Sequence, residues 1–144
     1  MRVFLLAVMA LFTSQVAFAG HHEATENQII FAINADIADG KADSFRSLLK
    51  EMVPAVKASE PNTMRYQYFI NSDDTKLTLI EVYPDNEAAL FHMTAFGSSP
   101  FADEFLASIT ITSFVVAGNA SAALMEAVEP FTTDNRPFTQ GFIR

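Results

Sequence analysis

Met64-Arg65-Tyr66-Gln67-Tyr68-Phe69-Ile70-Asn71-Ser72-Asp73-Asp74-Thr75-Lys76-Leu77-Thr78-Leu79-Ile80-Glu81-Val82-Tyr83 anchors the reading of this chain. Two runs rich in aromatic and β-branched residues flank the polar Asn71-Ser72-Asp73-Asp74, a pattern that predicts an antiparallel hairpin with strands over 64–70 and 76–83. Upstream, Glu60-Pro61-Asn62 breaks a helix whose apolar stripe of Phe45, Leu48, Leu49, Met52, Val53 and Val56 has helical spacing. Pro54 is expected to kink that helix, since proline in a helix interior removes a backbone donor. Earlier still, Ile29, Ile30, Phe31 and Ile33 read as a first strand. Downstream, Asp85 is placed to N-cap a helix through Ala88, Leu90, Phe91, His92 and Met93. Ser99-Pro100 predicts a second helix with proline at its first position, carrying Phe101, Phe105 and Leu106. Residues 109–117 read as a fourth strand, 120–128 as a short helix stopped by Pro130, and 137–143 as a terminal strand.

This order, β-α-β-β-α-α-β with a helix and a tail strand after it, predicts an α+β fold: a ferredoxin-like antiparallel sheet with helices on one face. Strands one, three and four carry apolar residues at both parities, so the second face is expected to be covered too. An identical sheet from a second copy would do this and make a homodimer. The alternative is that the C-terminal segment folds back over its own sheet.

The N-terminus has a different character. Met1-Arg2 precedes ten apolar residues, Val3 to Phe12, and Ala17-Phe18-Ala19 follows after Thr13-Ser14-Gln15. This is the layout of a cleavable export signal, cut after Ala19. As a helix the apolar run rises about 15 Å, half of what a permanent membrane span requires, so no stable membrane anchor is expected. The expected organisation is a signal peptide over 1–19, a flexible mature N-terminus over 20–26 and one domain over 27–144, exported to the periplasm or secreted. Zero cysteines exclude disulfides and a lipid-anchored cysteine, and a net charge of -8 argues against nucleic acid as a partner.

Glu60-Pro61-Asn62-Thr63-Met64-Arg65-Tyr66, the turn Asp73-Asp74, Leu79-Ile80-Glu81-Val82-Tyr83 and Asp85-Asn86-Glu87-Ala88-Ala89-Leu90-Phe91-His92-Met93 together resemble the antibiotic biosynthesis monooxygenase family. Pro137-Phe138-Thr139-Gln140-Gly141-Phe142 resembles the tails of its quinol monooxygenase-like members. The resemblance implies a dimeric α/β-barrel type of assembly, with sheets packed face to face and a pocket between sheet and helices in each subunit. Family activities are diverse, including oxidation of quinols and aromatic polyketides by O2 with no cofactor, haem degradation and isomerisation, so fold alone does not select one. The haem-degrading branch is disfavoured, because its tryptophan has no counterpart in a chain with no Trp and Glu104 stands near the place of its haem histidine.

His92 matches the family's histidine in the helix after the third strand. A neutral imidazole in a pocket accepts a phenolic proton and so prepares a phenolate for O2; the alternative is a surface histidine or one satisfied in the core. A base role predicts that His92→Ala lowers turnover with a much smaller change in stability. Asn34, late in the first strand, is the second catalytic candidate, since relatives present an amide to the substrate there; the alternative is a bond to neighbouring backbone. Tyr66 and Arg65 are substrate-binding candidates of opposite strand parity. Phe91, Phe96, Phe101 and Phe105 are candidates to line an apolar pocket for a flat aromatic, or simply core filling. Glu81, alone in an apolar strand, is expected to pair with Arg65. Cleavage after Ala19 would expose Gly20-His21-His22, whose amine, amides and third-position imidazole suit square-planar Cu(II), so His21 and His22 are the metal candidates.

The leading expectation is an exported, dimeric monooxygenase-like enzyme oxidising a quinol or other electron-rich aromatic with O2 and without a cofactor. The alternative is a non-catalytic module on the same fold that binds a small ligand or copper.

Overall fold

The computed structural model describes residues 26–142, so the expected export signal and expected cleavage site, with His21 and His22, lie outside the described residues. Strand β1 (Ile29–Ile37) leads through a turn at Gly40, which has φ +73, into helix α1 (Ala42–Ser59). The hairpin follows as β2 (Arg65–Ile70) and β3 (Lys76–Tyr83), then helices α2 (Asn86–Gly97) and α3 (Ala102–Ser108), strand β4 (Ile109–Ala117), helix α4 (Ala122–Val128) and a two-residue strand β5 (Asn135–Arg136). The sheet order is β2-β3-β1-β4-β5, antiparallel except for the β4–β5 pair, with the helices on one face.

The helix ends follow local chemistry. Asp85 caps α2 by accepting from the Ala88 amide at 2.9 Å, as expected. Glu60 closes α1: its amide donates to the Val56 carbonyl, and Pro61 next in the chain has no amide to continue the ladder. α1 itself runs through Pro54 from Ala42 to Ser59. Two boundaries differ from expectation. Pro100 is not the first residue of α3; Ser99 Oγ accepts from the Phe101 amide in a turn and the helix begins at Ala102. The tail strand expected over 137–143 is replaced by β5 just before it, because Pro137 cannot donate to the ladder that Asn135 and Arg136 form with Val116 and Ala117.

On the helix-covered face, β1 buries Ile29, Phe31, Ile33, Ala35 and Ile37, and β3 buries Leu77, Leu79, Glu81 and Tyr83. β4 switches parity midway. The register shifts between Asn34 and Ala35, so that Asn34 opposes Ser113 while Ala35 opposes Ile111. Thr112 is the extra residue, and its hydroxyl donates to the Asn34 carbonyl at 3.1 Å. This bulge lets Ile109 and Ile111 before it and Phe114 and Val116 after it face the same core, although their numbers change parity. Much of the two-sided apolar pattern of the fourth strand is therefore one face seen across a bulge.

The other face carries Ile30, Ala32, Ile80, Val82 and Val115, with Ile30 opposite Val82 and Ala32 opposite both Ile80 and Val115. Arg65, Gln67 and the exposed Phe69 flank them on β2. At the far end Gly118 has φ +125, and a Cβ there would sit 2.4 Å from the Gln28 carbonyl oxygen, so both conformation and space require glycine.

Candidate functional site

Four strands and two helices converge on one small cavity between sheet and helices. Phe31 and Ile33 from β1, Tyr66 from β2, Glu81 from β3, and Ile111 and Phe114 from β4 form its sheet wall. His92, Met93 and Phe96 from α2, Phe105 and Leu106 from α3, and Phe131 complete it. The bulge in β4 is what brings Ile111 and Phe114 to the same wall. The cavity holds about 40 Å³, room for a few waters and less than an aromatic ring needs. Leu106, 39 % exposed, is the lining residue most open to solvent, and at this volume a ring enters only if the wall gives way.

At the polar end of this apolar chamber, His92 is clamped between two buried carboxylates. Its Nδ1–H donates to Glu60 Oε2 at 2.8 Å, and its Nε2 stands 3.6 Å from Glu81 Oε1, an ion pair too long for a hydrogen bond. Thr63 Oγ1 donates to Glu60 Oε2 at 2.8 Å, and the Tyr83 hydroxyl donates to Glu81 Oε2 at 2.8 Å. Tyr66 and Tyr83 pack on the imidazole with ring centroids 5.7 and 5.5 Å away, and Phe96 stacks on it at 6.3 Å. A further hydrogen bond, from the Tyr68 hydroxyl to that of Tyr66 at 2.7 Å, lies next to the cluster.

The electrostatics follow from burial and pairing. Burial pushes His92 down, but the Glu81 charge, the hydrogen bond to Glu60 and the Glu60 charge outweigh it and leave the imidazole above its ordinary value. For Glu60 burial acts upward, yet the His92 bond and charge and the Thr63 hydroxyl hold the carboxyl below the usual range. Glu81 ends above it: burial raises it, His92 and Tyr83 lower it less, and Glu60 adds repulsion. Tyr66 is raised by burial first and by the Glu81 charge second, so it stays protonated as a donor. The arrangement is an acid–base set: Glu60 and His92 as a tight ion pair, and beside them a carboxyl held by burial above the ordinary carboxylate range.

The structure gathers His92, Tyr66, Phe96 and Phe105 at this cavity, as the sequence suggested. Phe101 precedes α3 and lines a separate groove with Phe96, and Phe91 is 56 % exposed on the outer side of α2. Asn34 is not brought to His92. It is exposed on the opposite face of the sheet and accepts from the Thr78 hydroxyl at 2.7 Å. Arg65 also lies on that face, opposite Val82, so the expected Arg65–Glu81 pair does not form; Glu81 opposes Tyr66 and pairs with His92 instead. Sequence reasoning missed Glu60 and Tyr83. The available signals were that Glu81 and Tyr83 share the parity of Leu77 and Leu79, and that Glu60 sits at a helix end locked by Pro61. Among the described residues no group of three or more His, Cys, Asp or Glu could hold a metal ion, and no helix is long and apolar enough to cross a membrane.

Solved structures share this architecture. MupZ from Pseudomonas fluorescens matches with a TM-score of 0.71 and 17% identity over 83% of this chain and 91% of that one. SnoaB, a cofactor-independent oxygenase from Streptomyces nogalater, matches with a TM-score of 0.54 and 20% identity over 67% of this chain and 96% of its own. At such identities these likenesses speak for the fold. No curated protein matches the chain. The family model for antibiotic biosynthesis monooxygenases matches residues 29–109, from β1 through α3 and into β4, with both carboxylates and the histidine of the buried cluster inside it. The chain belongs to the antibiotic biosynthesis monooxygenase family.

Proposed function

We propose that this protein is an exported, dimeric monooxygenase that oxidises a quinol or similar electron-rich aromatic with O2, using neither metal nor flavin. The observation that carries the reading is the His92–Glu81 pair at the head of an otherwise apolar, aromatic-lined cavity. A phenolic hydroxyl admitted there gives its proton to the pair, which titrates as a unit, and the phenolate so formed donates electrons to O2 far more readily than the phenol. Oxygen adds at a ring carbon as a hydroperoxide. Loss of water then leaves one oxygen as a quinone carbonyl, so quinol and O2 give a hydroxyquinone and water. Glu60 borders grooves on the solvent side of His92 and gives the proton a way out. The cofactor-independent oxygenase among the structural relatives supports the absence of a cofactor.

Oxygen uptake by the purified mature protein with a panel of quinols is the test; uptake should exceed that of the quinols alone. No uptake by protein that still binds a quinol would favour the rival reading, a non-catalytic small-ligand or copper-binding module, whose copper would sit at His21 and His22.

Two properties complete the proposal. The apolar strip of Ile30, Ala32, Ile80, Val82 and Val115 is where a second copy would pack, with light scattering expected to give twice the monomer mass at micromolar concentration; the monomer mass would overturn it. Export predicts an intact mass lacking residues 1–19, and recovery of the exported protein with those residues retained would refute cleavage after Ala19.

A further inference from the structure

Tyr66 and Glu81 oppose each other on adjacent strands, on the same face and in the wall of the same cavity. Cross-strand partners hold their Cβ atoms about 5 Å apart, so one small ligand can touch both side chains. The Tyr66 oxygen already accepts the Tyr68 proton, and Tyr68 does not line the cavity. Tyr66's own proton is thereby left for a ligand oxygen, on a hydroxyl strengthened as a donor by the bond it receives. Across from it, Glu81 is held by the Tyr83 hydroxyl on one oxygen and faces His92 with the other. The rest of the wall, including Phe31, Phe96, Phe105 and Phe114, brings no competing polar group.

A hydrogen-bond donor and a carboxylate base side by side in an apolar chamber suit the abstraction of a proton next to a carbonyl. We propose that this cavity enolises small flat ketones, with Glu81 taking the α-proton and Tyr66 donating to the enolate oxygen. The C–H bond breaks and its proton passes to Glu81. The electron pair becomes the new C=C bond, and the carbonyl π pair moves onto the oxygen that Tyr66 holds. Return of a proton from Glu81 to carbon completes the cycle, with no oxidant consumed. The proton on Glu81 mixes with solvent through His92 and Glu60, since His92 borders both the cavity and a surface groove that Glu60 shares. The inference rests on the reading of the Glu81–His92 pair as the cavity's proton acceptor, and it adds carbon acids to the phenols proposed above. Burial keeps Glu81 a stronger base than an ordinary carboxylate and Tyr66 protonated throughout the working range.

The test is deuterium incorporation into 2-indanone in deuterated buffer under an air-free atmosphere, followed by mass spectrometry. Wild-type protein should exchange the α-hydrogens about 10²-fold or more faster than the Glu81→Gln protein, the lower end of what a positioned base contributes. Tyr66→Phe, which keeps the ring and its packing, should lose about tenfold or more, and Glu81→Asp should recover part of the rate. The rate should rise with pH through an apparent pKa above the ordinary carboxylate value, set by Glu81 together with Glu60, His92, Tyr66, Tyr68 and Tyr83 around it. Wild-type exchange no faster than buffer, or equal in Glu81→Gln and Tyr66→Phe, would overturn the proposal. Because oxygen is absent, the outcome separates from the oxygenase reading: quinol oxidation without exchange sinks this inference alone, and exchange without quinol oxidation sustains it while the oxygenase reading falls.

Discussion

His92→Ala should lower the stability of the fold by about 3–5 kcal/mol, because it strips the counter-charge from two buried carboxylates at once. Glu60 and Glu81 are 4 % and 3 % exposed, so bulk water solvates neither charge fully once the imidazole is gone. The sequence-based expectation was a much smaller stability change for a catalytic base and a destabilisation for a core histidine, and burial between two carboxylates predicts the destabilisation. A histidine on an apolar helix stripe gave no sign that two carboxylates would meet it. The same change should reduce quinol turnover about 10²- to 10⁴-fold, the usual contribution of a proton-transfer group. Urea unfolding midpoints of wild type and variant check the first effect, and oxygen uptake at a temperature where the variant is folded checks the second. An unchanged midpoint would mean that the cluster carries no net charge interaction, and unchanged turnover would remove His92 from the chemistry.

Stability should also fall as the solution is made alkaline. His92 lies above its ordinary 6.5 in the folded protein, so its contribution is complete below that value and is lost as pH rises through the raised one. Glu81, raised from 4.5, acts in the same sense: its favourable protonated form is lost as pH climbs. Glu60 is depressed below 4.5, so its contribution is present above that value and disappears as acid protonates it. Together these place the greatest cluster stability in the weakly acidic range, with loss on both sides. Urea midpoints measured from about pH 3 to pH 9 should trace that dome, and His92→Asn should remove the His92 part of the alkaline limb while leaving that of Glu81. A wild-type midpoint that stays flat from neutrality to about pH 9 would contradict the assignment of a charged His92 between two carboxylates.

The order of elements, the hairpin, the cap at Asp85 and the end of α1 at Glu60 are legible in the residues alone, because periodicity, turn residues and helix stops act over a few neighbouring residues. The sequence also carried the family likeness and pointed to His92, Tyr66, Phe96 and Phe105. Tertiary structure decided what those residues meet. Side chains alternate faces along a strand, so one residue of register separates a Glu81 that pairs with Arg65 from a Glu81 that pairs with His92, and that register depends on how the turn closes. The bulge at Thr112, which turns Ile111 and Phe114 to one wall, requires β1 alongside, and the parity switch it leaves in β4 reads from the residues alone as a strand with two apolar faces. Asn34 reads as a site residue until the pairing of β1 turns it to the far face. Glu60 reaches His92 across 32 residues of chain only when α1 and α2 have packed on the same sheet, and no local pattern records a contact of that separation.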